Sequence, residues 1–216
     1  MHALIIGATG ATGRALLDTL LNDSAFGRVS IFVRRPVAVE HPKLAVHVID
    51  FAQTRIWQDK VRGNALFSCL GTTLKDAGSK EAQWQIDYDY PYRFAQAAQA
   101  NGVPQLLLVS SAYANPASKG FYTRMKGRLE QDITALGFAS PGIFRPPSLV
   151  RPNTDRTGEK TALWILNRLN RIGLLHAMQP MPVAELAQAL AAAAKQAVPG
   201  VRILETQEIR AAADTR

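Results

Sequence analysis

Tyr122 and Lys126 stand four residues apart in the run Phe121-Tyr122-Thr123-Arg124-Met125-Lys126, and on a helix that spacing puts them on one face. A phenol titrates at about pH 10 in water. An ammonium held beside it favours the phenolate and brings it toward the range where it can exchange a proton with a substrate oxygen. Of five tyrosines, Tyr122 alone has a lysine at that offset. Eleven residues before Tyr122, the apolar run Gln105 to Val109 closes on Ser110-Ser111, hydroxyls at the end of what reads as a central parallel strand.

Near the start of the chain, Gly7, Gly10 and Gly13 recur at three-residue spacing in GATGATG. They separate a short apolar run, Ala3 to Ile6, from Arg14 to Leu21, whose apolar residues fall at helical spacing. That is strand, tight turn, helix. A turn this sharp needs glycine where a Cβ would clash, and the free N–H groups at the start of the helix, with its dipole behind them, suit a diphosphate. Gly7, Ala8, Thr9, Gly10, Ala11, Thr12 and Gly13 are therefore read as the wall of a dinucleotide site. The spacing is GxxGxxG and not GxGxxG, which shifts the family within the nucleotide-binding folds. A second strand, Val29 to Val33, ends in Arg34-Arg35-Pro36. Its tip faces the adenosine ribose in such a fold, where an acid would bind the two ribose hydroxyls. Guanidinium groups suit a 2′-phosphate instead, so NADP(H) is expected in preference to NAD(H).

The elements that must position these residues alternate between strand and helix. Leu44 to Ile49 reads as a third strand closing on Asp50-Phe51, within reach of the adenine, and Ile56 to Val61 as a short helix. Ala65 to Cys69 reads as a buried strand opening into Leu70-Gly71-Thr72-Thr73, a small-residue turn at the ligand edge of an open parallel sheet. Cys69, Leu70, Gly71, Thr72 and Ser110 are placed beside the cofactor on that basis. Asp76 to Glu81 reads as polar and flexible, and Gln83 to Asn101 as a long helix interrupted near Pro91. Ser140 to Phe144 is another strand, after which Arg145-Pro146-Pro147 forces an extended turn. Residues 151–160 read as a polar loop, and Thr161 to Ile172 as an amphipathic helix followed by Gly173 to Met178; His176 reads as packing. Glu185 to Ala197 is an alanine-rich helix, Val201 to Leu204 a last strand, and the tail after Glu208 frays. The expected fold is α/β: a Rossmann-like doubly wound parallel sheet, a single domain over residues 1–216 with a small C-terminal cap on the substrate side.

With 216 residues, 47% of them hydrophobic, the chain can bury one good core. The lone Cys69 excludes an intramolecular disulfide framework and suits a reducing compartment, so a cytoplasmic protein is expected. No signal peptide is apparent, and no stretch reaches the roughly 18 apolar residues of a membrane span. The net charge of +8 is densest from Arg145 to Arg171, where Arg145, Arg151, Arg156, Lys160, Arg168 and Arg171 face Asp155 and Glu159. Without basic and aromatic residues interleaved, this reads as a solvated face that helps steer an anionic cofactor. A small-molecule substrate is expected, with no nucleic acid, no membrane and no metal.

GATGATG, the strand end VSS and Tyr122-xxx-Lys126 together resemble the short-chain dehydrogenase/reductase superfamily in its atypical branch. FSCLGTT at 67 to 73 and YTRMKGRLE at 122 to 130 resemble, within it, the Tat-interacting-protein-like oxidoreductases and their small bacterial relatives; the likeness runs from Leu4 to about Glu208. The resemblance implies that Gly7, Gly10 and Gly13 form the cofactor turn, that Arg34 selects NADP, with Arg35 beside it, and that Asp50 and Phe51 lie on the adenine side. Ser111 would hydrogen-bond the substrate oxygen, Tyr122 would be the general acid/base, and Lys126 would contact the nicotinamide ribose and tune the tyrosine. Arg145 to Ser148, Pro146 among them, would pass over the nicotinamide. The superfamily's fuller set includes an asparagine on the long helix, where this chain has Asp87. The implied activity is hydride transfer between the nicotinamide and a carbonyl or alcohol. The alternative is a dinucleotide-binding regulatory or scaffold protein with a protein partner and little turnover.

Overall fold

The computed structural model describes residues 1–150 and 179–214. What the sequence led us to expect of residues 151–178 lies outside the described residues. That covers the polar loop, the helix over Thr161 to Ile172, the segment Gly173 to Met178, His176 and the cations Arg151, Arg156, Lys160, Arg168 and Arg171.

Ala3, Leu4, Ile5 and Ile6 are all fully buried, and they form most of strand β1 (His2–Ile6). Side chains alternate across a strand, so Ala3 and Ile5 enter one core while Leu4 and Ile6 enter another. A strand buried on both faces belongs in the middle of a sheet. β1 pairs in parallel with β2 (Arg28–Val33) on one side and β4 (Ala65–Ser68) on the other, with β3 (Leu44–Val48) outside β2. Beyond β4 lie β5 (Gln105–Val109), β6 (Ser140–Phe144) and β9 (Arg202–Leu204), also parallel. The order β3-β2-β1-β4-β5-β6-β9 reverses direction between β1 and β4. At such a reversal the connections diverge to opposite faces and leave a crevice at the carboxyl edge. A separate parallel pair joins β7 (Leu149–Val150) to β8 (Met181–Pro182).

On one face α1 (Ala11–Asn22), α7 (Val183–Gln196) and α8 (Thr206–Ala213) bring Leu16, Leu20, Leu186, Leu190 and Ile209 against Ile5 and Phe67. On the other, α5 (Tyr90–Ala100) and α6 (Phe121–Ala135) bring Phe94, Leu129 and Ile133 against Leu66, Leu106 and Leu108. Trp57 closes this second core; it follows Thr54 in the short α2 (Thr54–Trp57) and stacks on Phe94 with ring centroids 4.0 Å apart.

Two expectations are corrected and a third is sharpened. The segment Asp76 to Glu81 is ordered, because Thr73 caps α3 (Leu74–Ala77) and Ser79 caps α4 (Lys80–Trp84), each hydroxyl accepting the backbone N–H three residues on. The long helix is interrupted near Pro91, as expected, and the interruption is a widening just before it. Residues Gln85–Asp89 form a π-helical turn in which the Tyr90 N–H reaches back to the Gln85 carbonyl. Proline lacks a donor and crowds the carbonyl four residues earlier, that of Asp87, and a wider turn relieves both. From Ile209 to Ala213 the tail is not frayed: Ile209 is fully buried in α8, and Arg210 donates to Gln179. Among the described residues no helix is long and apolar enough to cross a membrane.

Candidate functional site

The turn after β1 sits at the reversal of strand order and is tight because three backbones meet there. Gly7 has φ +81°, and a Cβ on it would lie 2.5 Å from the Cys69 carbonyl carbon and oxygen. A Cβ on Gly13, in the first turn of α1, would lie 2.1 Å from the Gly7 oxygen. Gly10 precedes α1, which has no side-chain cap and no acid in its first turn. The first N–H groups of the helix are thus left for an anion, with the positive end of the helix dipole behind them.

Along this turn runs a cavity of 310 Å³ lined by Gly7, Thr9, Gly10, Arg34, Phe51 and Cys69, and further by Leu70, Gly71, Thr72 and Tyr90. Phe51 and Tyr90, ring centroids 5.3 Å apart, give it an aromatic wall. The uncapped helix end, the glycine cradle, the cation and the aromatic wall together fit a dinucleotide phosphate. Arg34 is exposed at the tip of β2, and Arg35 follows it on the surface without lining the cavity. Ala8 lines a neighbouring cavity behind the turn, while Ala11, Thr12 and Gly13 lie within α1. Asp50 is turned to its own loop, its carboxylate accepting from the Ala52 N–H at 2.9 Å and from the Gln53 amide at 2.9 Å; these bonds hold it below the usual carboxylate range. Burial pushes the Cys69 thiol up to about 12 against the opposing charge of Lys126, which leaves it an inert wall.

Tyr122 and Lys126 occupy the first turns of α6. Lys126 is 2% exposed, Tyr122 is 38% exposed, and Lys126 Nζ lies 5.9 Å from the centre of the Tyr122 ring. The loop that follows β5 is tied to this helix. The Asn115 N–H donates to the Thr123 carbonyl at 3.0 Å, and Gly127 packs so closely that a Cβ there would lie 2.3 Å from the Asn115 carbonyl carbon. At the root of the loop the Ser111 hydroxyl donates to the Ala112 carbonyl at 3.2 Å, and the Ala112 N–H donates to the Pro146 carbonyl at 3.0 Å. One hydrogen-bonded loop therefore ties the backbone beside Ser111 to Pro146 and to α6, the helix that carries Tyr122.

Ser110 and Arg145 were expected beside the cofactor, but their side chains are engaged elsewhere. The Ser110 hydroxyl donates to Glu130, which is buried on α6. Arg145 grips the same carboxylate with two bonds, Nε to Oε1 at 3.1 Å and Nη2 to Oε2 at 2.6 Å, and its Nη1 donates to Glu205 at 3.0 Å. These carboxylates raise the Arg145 guanidinium above its ordinary value, so it stays charged. Sequence reasoning missed Glu130; a lone glutamate on a helix carries no local mark of a buried partner.

Asp87 was singled out only as a departure from the resembled family. The structure places it, fully buried, beneath the Gly71-Thr72 turn, where Oδ1 accepts the Thr72 N–H at 2.7 Å. Burial raises its carboxyl; the Lys126 charge, the Thr72 N–H and the nearby Gln83 amide oppose the rise. Among the described residues no cluster of histidine, cysteine or acidic side chains could hold a metal ion.

A doubly wound parallel sheet with a glycine turn at its reversal and a cavity along that turn defines a dinucleotide-binding protein. Residues 7–137 match the model of the NAD(P)H-binding family, and the chain belongs to that family. It is 33% identical over 221 residues to the protein FMP52-1, mitochondrial, of Scheffersomyces stipitis, with 97% of each chain covered. It is 39% identical over 155 residues to FMP52, mitochondrial, of Debaryomyces hansenii, covering 69% of this chain and 67% of that one. Its fold matches the Bordetella bronchiseptica enzyme WbmH solved with NAD+ at a TM-score of 0.73 and 16% identity, covering 94% of this chain and 75% of that one. It also matches the UDP-glucose 4-epimerase of Thermotoga maritima solved with UDP-glucose at 0.72 and 13%, covering 95% and 77%. The reading of the chain as an NAD(P)-binding protein, and the Rossmann-like sheet, are thus borne out. The cytoplasmic expectation is corrected, since these curated relatives are named as mitochondrial. A single cysteine reports a reducing environment and not which compartment supplies it.

Proposed function

We propose that this chain is an NADP(H)-preferring oxidoreductase acting on a small carbonyl or alcohol substrate through Ser111, Tyr122 and Lys126. The observation that carries the reading is the burial of Lys126 beside Tyr122, with Nζ 5.9 Å from the ring centre. A lysine on an ordinary helix face extends into water, and removing an ammonium from water costs several kcal/mol. A lysine held this way beside a phenol has a use in stabilising a phenolate.

When bound, the nicotinamide supplies or accepts the hydride. The Tyr122 hydroxyl donates its proton to the carbonyl oxygen in reduction and takes it back in oxidation. Ser111 holds that oxygen by a hydrogen bond, which requires its hydroxyl to turn from the Ala112 carbonyl. Lys126 offsets the charge left on Tyr122 and reaches the ribose of the cofactor. Arg34 lies at the cavity where a 2′-phosphate would sit, with Arg35 next to it, and this supports NADP(H) over NAD(H).

Calorimetric titration with NADPH and with NADH, on the wild type and on Arg34→Ala, tests the cofactor half. We expect NADPH to bind more tightly, and Arg34→Ala to lose about tenfold or more of the NADPH affinity with little change for NADH. Equal binding of both nucleotides by the wild type overturns the preference, and binding of neither overturns the proposal. A carbonyl-substrate screen with Tyr122→Phe as the inactive control tests the chemistry.

A further inference from the structure

Among the described residues two that are not glycine hold a positive φ, Ala197 at +46° and Tyr113 at +64°. Ala197 ends α7, its N–H donating to the Ala193 carbonyl at 3.3 Å, and a left-handed residue is an ordinary way to close a helix. Tyr113 lies in the loop after β5, two residues past Ser111. The Ala114 N–H donates to the Ser111 carbonyl at 3.2 Å and closes a four-residue turn with Tyr113 in its third place. At positive φ that place suits glycine, and a tyrosine there is strained by its own Cβ. Burial does not account for the choice: Tyr113 is 71% exposed, whereas Ala114 beside it is buried. Packing holds the turn through Ala114 and leaves the strained residue in water. Strain that persists with no packing return points to a use for the side chain.

The turn begins at Ser111, read above as the group that holds the substrate oxygen. The Ala112 N–H ties it to the Pro146 carbonyl at 3.0 Å, so the Tyr113 turn adjoins Pro146-Pro147. Arg145, the cation next to Pro146 in the chain, is already held by Glu130 and Glu205. What this rim offers a substrate is therefore an exposed phenol ring and two prolines, flat and largely apolar surfaces. A tyrosine ring stacks on a flat group at little entropic cost, because few torsions are frozen. We propose that Tyr113 is a substrate-recognition residue, stacking on the planar, uncharged aromatic part of a carbonyl substrate whose oxygen is held by Ser111. This names the substrate class for the oxidoreductase read above and rests on that reading. A glycine would relax the turn and remove the ring; tyrosine gives up stability for the contact.

Thermal midpoints separate strain from packing. Tyr113→Gly and Tyr113→Ala both remove the ring, but only glycine relieves the turn, so the glycine variant melts about 3 °C above the alanine variant, itself within about 2 °C of the wild type. Equal midpoints in the two variants overturn the strain on which the proposal stands, and an alanine variant well below the wild type shows a packed ring and overturns it too. Recognition is read with two neutral dicarbonyls reduced by NADPH, phenanthrenequinone with flat fused rings and diacetyl with none. The ratio of their kcat/KM values falls about tenfold in both variants, through the KM for phenanthrenequinone, and is kept in Tyr113→Phe. An unchanged ratio in Tyr113→Gly overturns the proposal. Calorimetric titration of the NADP+-loaded protein with phenanthrenequinone reads the contact without turnover: Tyr113→Gly raises Kd about tenfold and Tyr113→Phe does not. No binding by the wild type, or an equal Kd in Tyr113→Gly, overturns the contact. If neither dicarbonyl is reduced, or NADPH itself does not bind, the oxidoreductase reading falls, and the quinone Kd of the protein as it stands still decides what Tyr113 does.

Discussion

The glycine turn after β1 and the ion network behind β5 and β6 lie on the same carboxyl edge of the sheet, yet they are made differently. The turn is backbone against backbone: Gly7 against Cys69, and Gly13 against Gly7. The network is side chain against side chain, with Glu130 joining Ser110 to Arg145 and Arg145 passing on to Glu205. A backbone cradle offers donors of fixed direction to a phosphate and tolerates no added atom. A side-chain network can yield by rotation, but it fails where a buried charge loses its partner. The first part is suited to holding a ligand, the second to holding strands in register.

This difference makes opposite demands on mutation. Gly13→Ala should be the most severe single change, because its Cβ would overlap the Gly7 oxygen and neither backbone can move far; a loss of roughly 3 kcal/mol or more, with NADPH binding abolished, is expected by denaturant titration and calorimetry. Retained binding would mean that the turn is looser than its geometry indicates. Glu130→Ala comes next, stranding Arg145 and Ser110, with a loss of about 3 kcal/mol and a thermal midpoint about 10 °C lower. NADPH affinity should change little if the network serves the sheet alone.

A smaller effect concerns two histidines of the sheet, where burial lowers the protonation range of His2 on β1 and His47 on β3. Both are neutral when folded and take up protons more readily when unfolded, so their contribution is present above about pH 6.5 and is lost as the pH falls below it. Stability measured downward from neutral pH should decline over that window, and His2→Gln with His47→Gln should flatten the decline. Glu205→Ala should be the mildest change. Its side chain is 53% exposed, and surface pairs contribute about 0–1 kcal/mol. A loss equal to that of Glu130→Ala would erase the distinction between the buried and exposed halves of the network.

The two regions also differed in how far they could be read in advance. The strand-turn-helix of residues 2 to 22 was legible because each step is local: an apolar run, glycines where a Cβ cannot fit, then helical spacing. Tyr122 and Lys126 were legible by the same token, since one helical turn joins them. The bonds of Ser110 and Arg145 to Glu130 were not legible, because position at a strand end says where a residue is and not which way its side chain bonds. The order of the stretch from Asp76 to Glu81 was missed for want of attention to the caps beside and within it, Thr73 and Ser79, which the sequence does display.

From its sequence alone this protein had its α/β alternation, its glycine turn and the pairing of a tyrosine with a lysine, because these follow from period, sterics and spacing within a few residues. Only the tertiary structure decided that Asp87 lies under Thr72, fifteen residues away, and that Arg145 is shared between Glu130 and Glu205, fifteen and sixty residues away. Whether a charge is buried, and beside which partner, depends on how distant elements close over it. No local pattern carries that information.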